Sequence, residues 1–365
     1  MEKKYILTDE TCIIRDKTLY RIRAIKDFGN VKKGDLGGFI EKEDNLSHIG
    51  KAWVYDNALV FDNAYVSENA SINGNARVFG DARVLGDASI NDKAYVKGDA
   101  YISGSAHVCN EAYICEHAYI YGKAYIAGKA NIYGSASIYD NAQIRDNVSV
   151  SGSTYICGNT CIEDDATIFE NATIAGNAKI FGNAHIYGHA YIYGNVCIYD
   201  NARVYKHARV YEHARVYGSA QVCGDARVYG EACVCEEAKV QFSHLKVDLR
   251  RDIKASLRCQ CNLMLEDGKV IAYKVVRRNL HSLHDKSFVY KVGETAICKN
   301  PVEDNTSCSA GLHFSNLTYW DSQCDNYIND LVYLKAEISL EDIITIQEGK
   351  IRCRRAKILS EHEIF

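Results

Sequence analysis

From Ala52 to Val240 the apolar and polar positions follow a six-residue period that never slips. The unit is Ala-x-Val/Ile-x-Gly/Asp-Asn/Asp, as in Ala76-Arg-Val78-Phe-Gly80-Asp81 and Ala184-His-Ile186-Tyr-Gly188-His189. Thirty-two units follow one another. Ala fills the first slot in 28 of them, the exceptions being Val148, Thr154, Thr160 and Val196, and the third slot is Val or Ile in all 32. Within a unit, the alternation of a strand places the small and the branched residue on one face and the residue between them on the other. Gly, Asn and Asp then supply a corner, because they tolerate tight or left-handed backbone. Each unit is therefore a short strand and a corner, and three units close an 18-residue coil. Stacked at the ~4.8 Å strand spacing, the coils make a prism about 50 Å long.

The stretches outside the repeat have strand-like patterns of their own. In residues 1–51, Tyr5-Ile-Leu and Leu19-Tyr-Arg-Ile-Arg-Ala-Ile read as strands punctuated by Gly29, Gly34, Gly37 and Gly38, a cap over the open end of the solenoid. Residues 241–365 contain the runs Lys269–Val276, Leu331–Ile338 and Ala356–Leu359, with a short helix expected within Asn316–Asn329, which together predict a separate α+β domain. The expected organisation is a cap over 1–51, a β-helix over 52–240 and a C-terminal domain over 241–365.

The hexapeptide period resembles the left-handed parallel β-helix of hexapeptide-repeat proteins. Val31-Lys-Lys-Gly-Asp-Leu-Gly-Gly-Phe-Ile40, Asn45-Leu-Ser and Trp53-Val-Tyr-Asp-Asn57-Ala58 are similar to the N-terminal cap of the YdcK-like members, found in bacterial and phage-encoded proteins. Cys308-Ser-Ala-Gly-Leu-His-Phe314 and Lys350-Ile-Arg-Cys-Arg-Arg-Ala-Lys-Ile358 resemble an uncharacterised module that follows pentapeptide-repeat solenoids and occurs in phage proteins. The resemblance implies an all-β solenoid in a phage or mobile-element setting and brings no settled activity. The common acyltransferase pattern has Gly directly after the branched residue. Here that slot is Tyr, Phe or Cys, with Gly one later.

Charge is nearly balanced, with Lys+Arg 43 against Asp+Glu 47, which argues against bulk nucleic-acid or membrane binding. No apolar run is long enough to span a bilayer and the first residues do not read as an export signal, so a cytoplasmic protein is expected. The 15 cysteines, many in repeat slots, are expected to be reduced. Hexapeptide acyltransferases, trimeric and dependent on acyl-CoA, use a histidine base, and the weak candidates for that role are His185, His189 and His207. His189 and His207, 18 apart, are expected to stack at one corner. Cys308 with His313 is a second weak catalytic pair. No metal site or cofactor is expected; Cys259-Gln-Cys261 is too closely spaced for zinc.

The candidate binding surface is aromatic and basic. Tyr113, Tyr119 and Tyr191 occupy the outward strand slot, as do Arg203, Arg209, Arg215 and Arg227. Tyr191, Arg209 and Arg227 fall in one column, with Glu212, Glu231, Glu236 and Glu237 near enough to neutralise it. Tyrosine offers rigid amphipathic contact area, so such a surface suits recognition. The resulting expectation is a non-enzymatic binding or scaffolding protein that engages a protein or small polar ligand, as a monomer, dimer or trimer. A hexapeptide acyltransferase and a nucleotide- or nucleic-acid-binding solenoid are the alternatives.

Overall fold

A computed structural model of the chain describes residues 2–235, 237–241, 244–245, 253–302, 310–323, 330–347 and 349–362. It divides into two compact units, Met1–His213 and Ala214–Phe365.

The first unit is the expected solenoid. Two-residue strands recur every six residues from Trp53–Val54 onward, and each pairs in parallel with the strand 18 residues away. Three sheets result, and successive units visit them in turn. One sheet carries the outward residues Tyr95, Tyr113, His185 and Arg203; a second carries Tyr65, Tyr119, Tyr155, Tyr191 and Arg209; a third carries His107 and Tyr125. The Ala and Val/Ile slots are buried from end to end. Backbone donors find the coil above, as Tyr113 N–H does at Ala130 O (2.8 Å). Thr154 and Thr160 stand in the small slot with buried hydroxyls that meet no partner.

The fifth slot explains its own composition. It takes positive φ in unit after unit, including at Asp56, Asp92, Asp140 and Glu170. Glycine adopts this region freely, whereas other L-residues are strained by about 1–3 kcal/mol. Where the slot is acidic or amide, its side chain caps the next coil. Asp56, Asp62, Glu68, Glu116, Asp140 and Asp164 each accept the N–H of the glycine 18 residues on, at 2.8–3.1 Å. The sixth slot builds an amide ladder, in which Asn141 donates to Asn159, Asn159 to Asn177 and Asn177 to Asn195.

The N-terminal strands Tyr5–Ile14, Lys17–Ala24 and Leu36–Ile40 form an antiparallel sheet whose last strand joins the first coils at Leu59–Val60. This cap covers two slots that face outward elsewhere. Trp53 is buried against Tyr5 and Phe28, and Leu59 joins Leu19, Phe39, Phe61 and Phe79. The buried Lys4 ammonium donates to Ala52 O at 2.8 Å; burial and Lys26 lower its pKa to about 8.

In the second unit, Arg215–Val216, Gln221–Val222 and Arg227–Val228 pair with Cys233–Val234, Lys239–Val240 and His244–Leu245. The last pairing is 17 residues apart rather than 18, so one strand lies beyond the end of the repeat. A helix, Ile253–Cys261, then places Leu257 and Cys261 in the core of an antiparallel domain. Its five-stranded sheet runs Leu265–Glu266, Lys269–Arg277, Leu331–Ser339, Arg355–His362, Thr295–Ile297. A three-stranded sheet runs Leu312–Phe314, Lys350–Cys353, Ile343–Gln347. The expected strands are present, and the short helix is Leu317–Gln323. The helix Ile253–Cys261 was not legible in the sequence. No disulfide is found among the described residues. No helix among them is long and apolar enough to cross a membrane.

Candidate functional site

The outward histidines do not assemble a catalytic group. His185 sits mid-strand between Thr167 and Arg203. His189 and His207 stack as expected, ring centroids 5.1 Å apart, exposed at a corner. None of the three is paired with a carboxylate or thiol among the described residues. Cys308 lies outside the described residues. His313 lies mid-strand in Leu312–Phe314, opposite Arg352. Cys353, which pairs with Leu312 rather than His313, is buried, and burial raises its thiol pKa well above the ordinary range, so it is not a thiolate nucleophile. No cluster able to hold a metal ion is found among the described residues.

The tyrosines separate into two populations. Tyr113 is half-buried, stacked with Tyr95 at 6.2 Å, with Lys97 over its ring. Tyr119 and Tyr191 belong to another sheet. There Tyr65, Tyr119, Tyr155 and Tyr191 occupy one column and are 39%, 47%, 51% and 42% exposed. At the adjoining corner, Tyr121 and Tyr193 are 38% exposed, stacked on Tyr139 and Tyr211. All the strongly exposed tyrosines of this unit therefore line one face and its edge. Arg209 follows Tyr191 in that column, whereas Arg203 follows His185 on a different face. Arg215 and Arg227 are exposed in the second unit. No ion pair joins a carboxylate among the described residues to any of these four arginines, and Glu236 lies outside the described residues.

A further site, missed by the sequence reading, is a cavity of about 770 Å³ in the second unit. Its lining is mainly apolar, with Val275, Leu283, Ile297, Phe288, Tyr290 and Trp320, and it also includes Lys274, Lys299, Lys350, His284 and His313. Lys274 stands in the inward register of Lys269–Arg277, between Ala272 and Val276. Its ammonium is held within 6 Å of the Tyr290, Phe314 and Trp320 rings and donates to His313 O at 3.2 Å. Trp320 is fixed by donation from its indole N–H to Tyr273 O (2.7 Å). Burial, then Lys274, Lys350, Arg352 and His284, lower the His313 pKa to about 4, so its imidazole is neutral at physiological pH. Its shielded Nε2 meets no partner. Asp285, the one acid among the described lining residues, is turned onto Ser287 N–H (3.0 Å) and Oγ (2.6 Å). The sequence signal was present, since a lysine occupies a core slot of an alternating strand.

Two family models match parts of the chain. Residues 220–236 match the YdcK β-solenoid repeat, and residues 270–364 match a domain of unknown function, DUF7666. No match is found among curated proteins. Among solved structures, the chain is similar to the UDP-N-acetylglucosamine acyltransferase of Francisella novicida at 16% identity, over 54% of this chain and 66% of that one, with a TM-score of 0.24. It is also similar to the UDP-N-acetylglucosamine O-acyltransferase LpxA of Moraxella catarrhalis, at 14% identity over 53% and 75% of the two chains, TM-score 0.21. LpxA from Acinetobacter baumannii matches at 13% identity over 55% and 72%, TM-score 0.20.

Proposed function

We propose that the protein is a non-enzymatic binding scaffold whose solenoid engages a protein partner through its tyrosine face. The observation that carries this reading is that the exposed outward tyrosines, Tyr65, Tyr119, Tyr155 and Tyr191, all stand in one column, which also holds the half-buried Tyr101 stacked on Tyr119, while Tyr95 and Tyr113 on another sheet are half-buried. A flat, rigid surface of tyrosines buries large area at small entropic cost, which is how recognition surfaces are built. Arg209 at the end of the column adds a cation for an acidic rim on the partner. The phage or mobile-element setting belongs to the same reading and rests on the sequence resemblance.

The test is a triple variant, Tyr119→Ser/Tyr155→Ser/Tyr191→Ser. These side chains point away from the core, so its melting temperature should stay within about 2 °C of the parent. Native mass spectrometry and affinity capture from the host lysate should show partners, a second copy of the chain included, bound by the parent and lost from the variant. An unchanged set of bound species would overturn the reading.

A further inference from the structure

We propose that the tyrosine face of the first unit closes on a second copy of the chain, in an antiparallel dimer whose two-fold axis passes between the coils of Tyr155 and Thr173. The inference rests on the tyrosine face as the binding surface and names its partner. Over six coils the outward column reads Tyr119, Ser137, Tyr155, Thr173, Tyr191, Arg209, each residue paired with the next. Large and small side chains therefore alternate, with the half-buried Ser137 and Thr173 between exposed tyrosines. About the stated axis, Tyr155 of one copy falls on Thr173 of the other, Tyr191 on Ser137, and Arg209 on Tyr119. By symmetry each contact forms twice. Two tyrosines of each copy fill the gap over a small hydroxyl residue, and the third lies under a guanidinium as a cation–π pair.

The flanking corners obey the same symmetry. A two-fold axis lying across the solenoid axis brings each corner against its own counterpart. On the corner before the strands, Glu116 meets Lys206, both exposed, so opposite charges face one another at each end of the interface. On the corner after them, Cys157 and Ala175 stand at the centre, and Tyr121 and Tyr139 on one side are matched by Tyr211 and Tyr193 on the other. This column reads the same by size from either end, as a self-complementary surface requires. Moving the axis half a coil toward the N-terminus would set Tyr155 on its own copy, and a full coil would set Arg209 on Arg83, so size and charge disfavour both. Three columns over six coils approach the ~20–30 residues a side of a stable interface.

The experiment is sedimentation equilibrium of the full-length protein from about 1 to about 100 μM, with carbodiimide cross-linking at the upper concentration. A reversible dimer should form, and the zero-length reagent should join Glu116 to Lys206. Within one chain these residues stand five coils apart, about 24 Å, so that link can run only between copies. Thr173→Arg should raise the dimer Kd at least about tenfold. The same slot already carries Arg83 and Arg209, so the circular dichroism spectrum should not change. Lys206→Glu should raise the Kd about fivefold, in a backbone geometry that Glu116 and Glu170 already adopt. Both variants keep every tyrosine. A monomer at about 100 μM, a trimer, a dimer that either variant leaves at full strength, or a dimer without the Glu116–Lys206 link would overturn the proposal. If a monomeric parent still binds a host protein that Tyr119→Ser/Tyr155→Ser/Tyr191→Ser loses, this inference alone fails and the tyrosine face stands.

Discussion

Asp140 shows how single residues hold a coil corner. Its φ of 58° is strained for an L-residue, and its carboxylate offsets that strain by accepting Gly158 N–H at 3.1 Å. Asp140→Ala keeps the strain and deletes the acceptor, so it should destabilise by about 1–2 kcal/mol in urea unfolding. Asp140→Gly removes both and should stay within about 0.5 kcal/mol of the parent. Thr160 makes the opposite case, since its buried hydroxyl meets nothing. The isosteric Thr160→Val puts in the slot a residue that Val148 and Val196 already place there, and should stabilise by about 1 kcal/mol on the same measurement. His313 adds a pH dependence. With a folded pKa near 4 against the ordinary 6.5, it remains neutral where the unfolded chain takes up a proton. Its contribution is intact above pH 6.5 and is lost as pH falls toward 4, amounting to about 2–3 kcal/mol. His313→Gln should remove that part of the stability slope of the C-terminal domain, followed by Trp320 emission.

Among elements, the repeating strands were fully legible, because one face carries Ala in 28 of 32 units and Val or Ile in every one. The meaning of the acidic fifth slot was not. Sequence marks Asp as a turn residue, but not that its oxygen reaches the N–H one coil away. Outward placement alone does not set exposure, since Trp53 and Leu59 are covered by the cap and Tyr113 is half-buried. Which outward column is open depends on neighbours 18 residues apart and on the cap, neither of which a local pattern encodes. The helix Ile253–Cys261 escaped notice for a different reason. It is short, and its burial of Leu257 and Cys261 is decided by the strands it meets. Gly128 offers a test of ladder tightness, since a Cβ there would stand 2.5 Å from Asp146 N. Gly128→Ala should lower stability by about 2 kcal/mol or more, read from the urea midpoint.

At the scale of the molecule, two kinds of surface lie in the two units. The first unit offers a face on which exposed rings recur along one column. The second holds a mainly apolar, ring-lined cavity that Lys274, Lys299 and Lys350 also line. The cavity was invisible in the sequence because its parts are scattered, from Lys274 to Lys350, over two sheets and a seven-residue helix. Only Lys274, a cation in a core slot, gave a local sign of it.

The 18-residue return of the ladder in the first unit also has a genetic meaning. Because neighbouring coils are encoded by similar stretches of eighteen codons, unequal crossing-over between them adds or removes whole turns and keeps every corner in phase. The reading frame and the hydrogen-bond register are preserved together. Tyr119, Tyr155 and Tyr191 stand two coils apart, so such an event would change their separation in steps of one coil, about 4.8 Å. The gene can therefore tune the spacing of its tyrosine face as one lengthens a ruler, with no new core to invent.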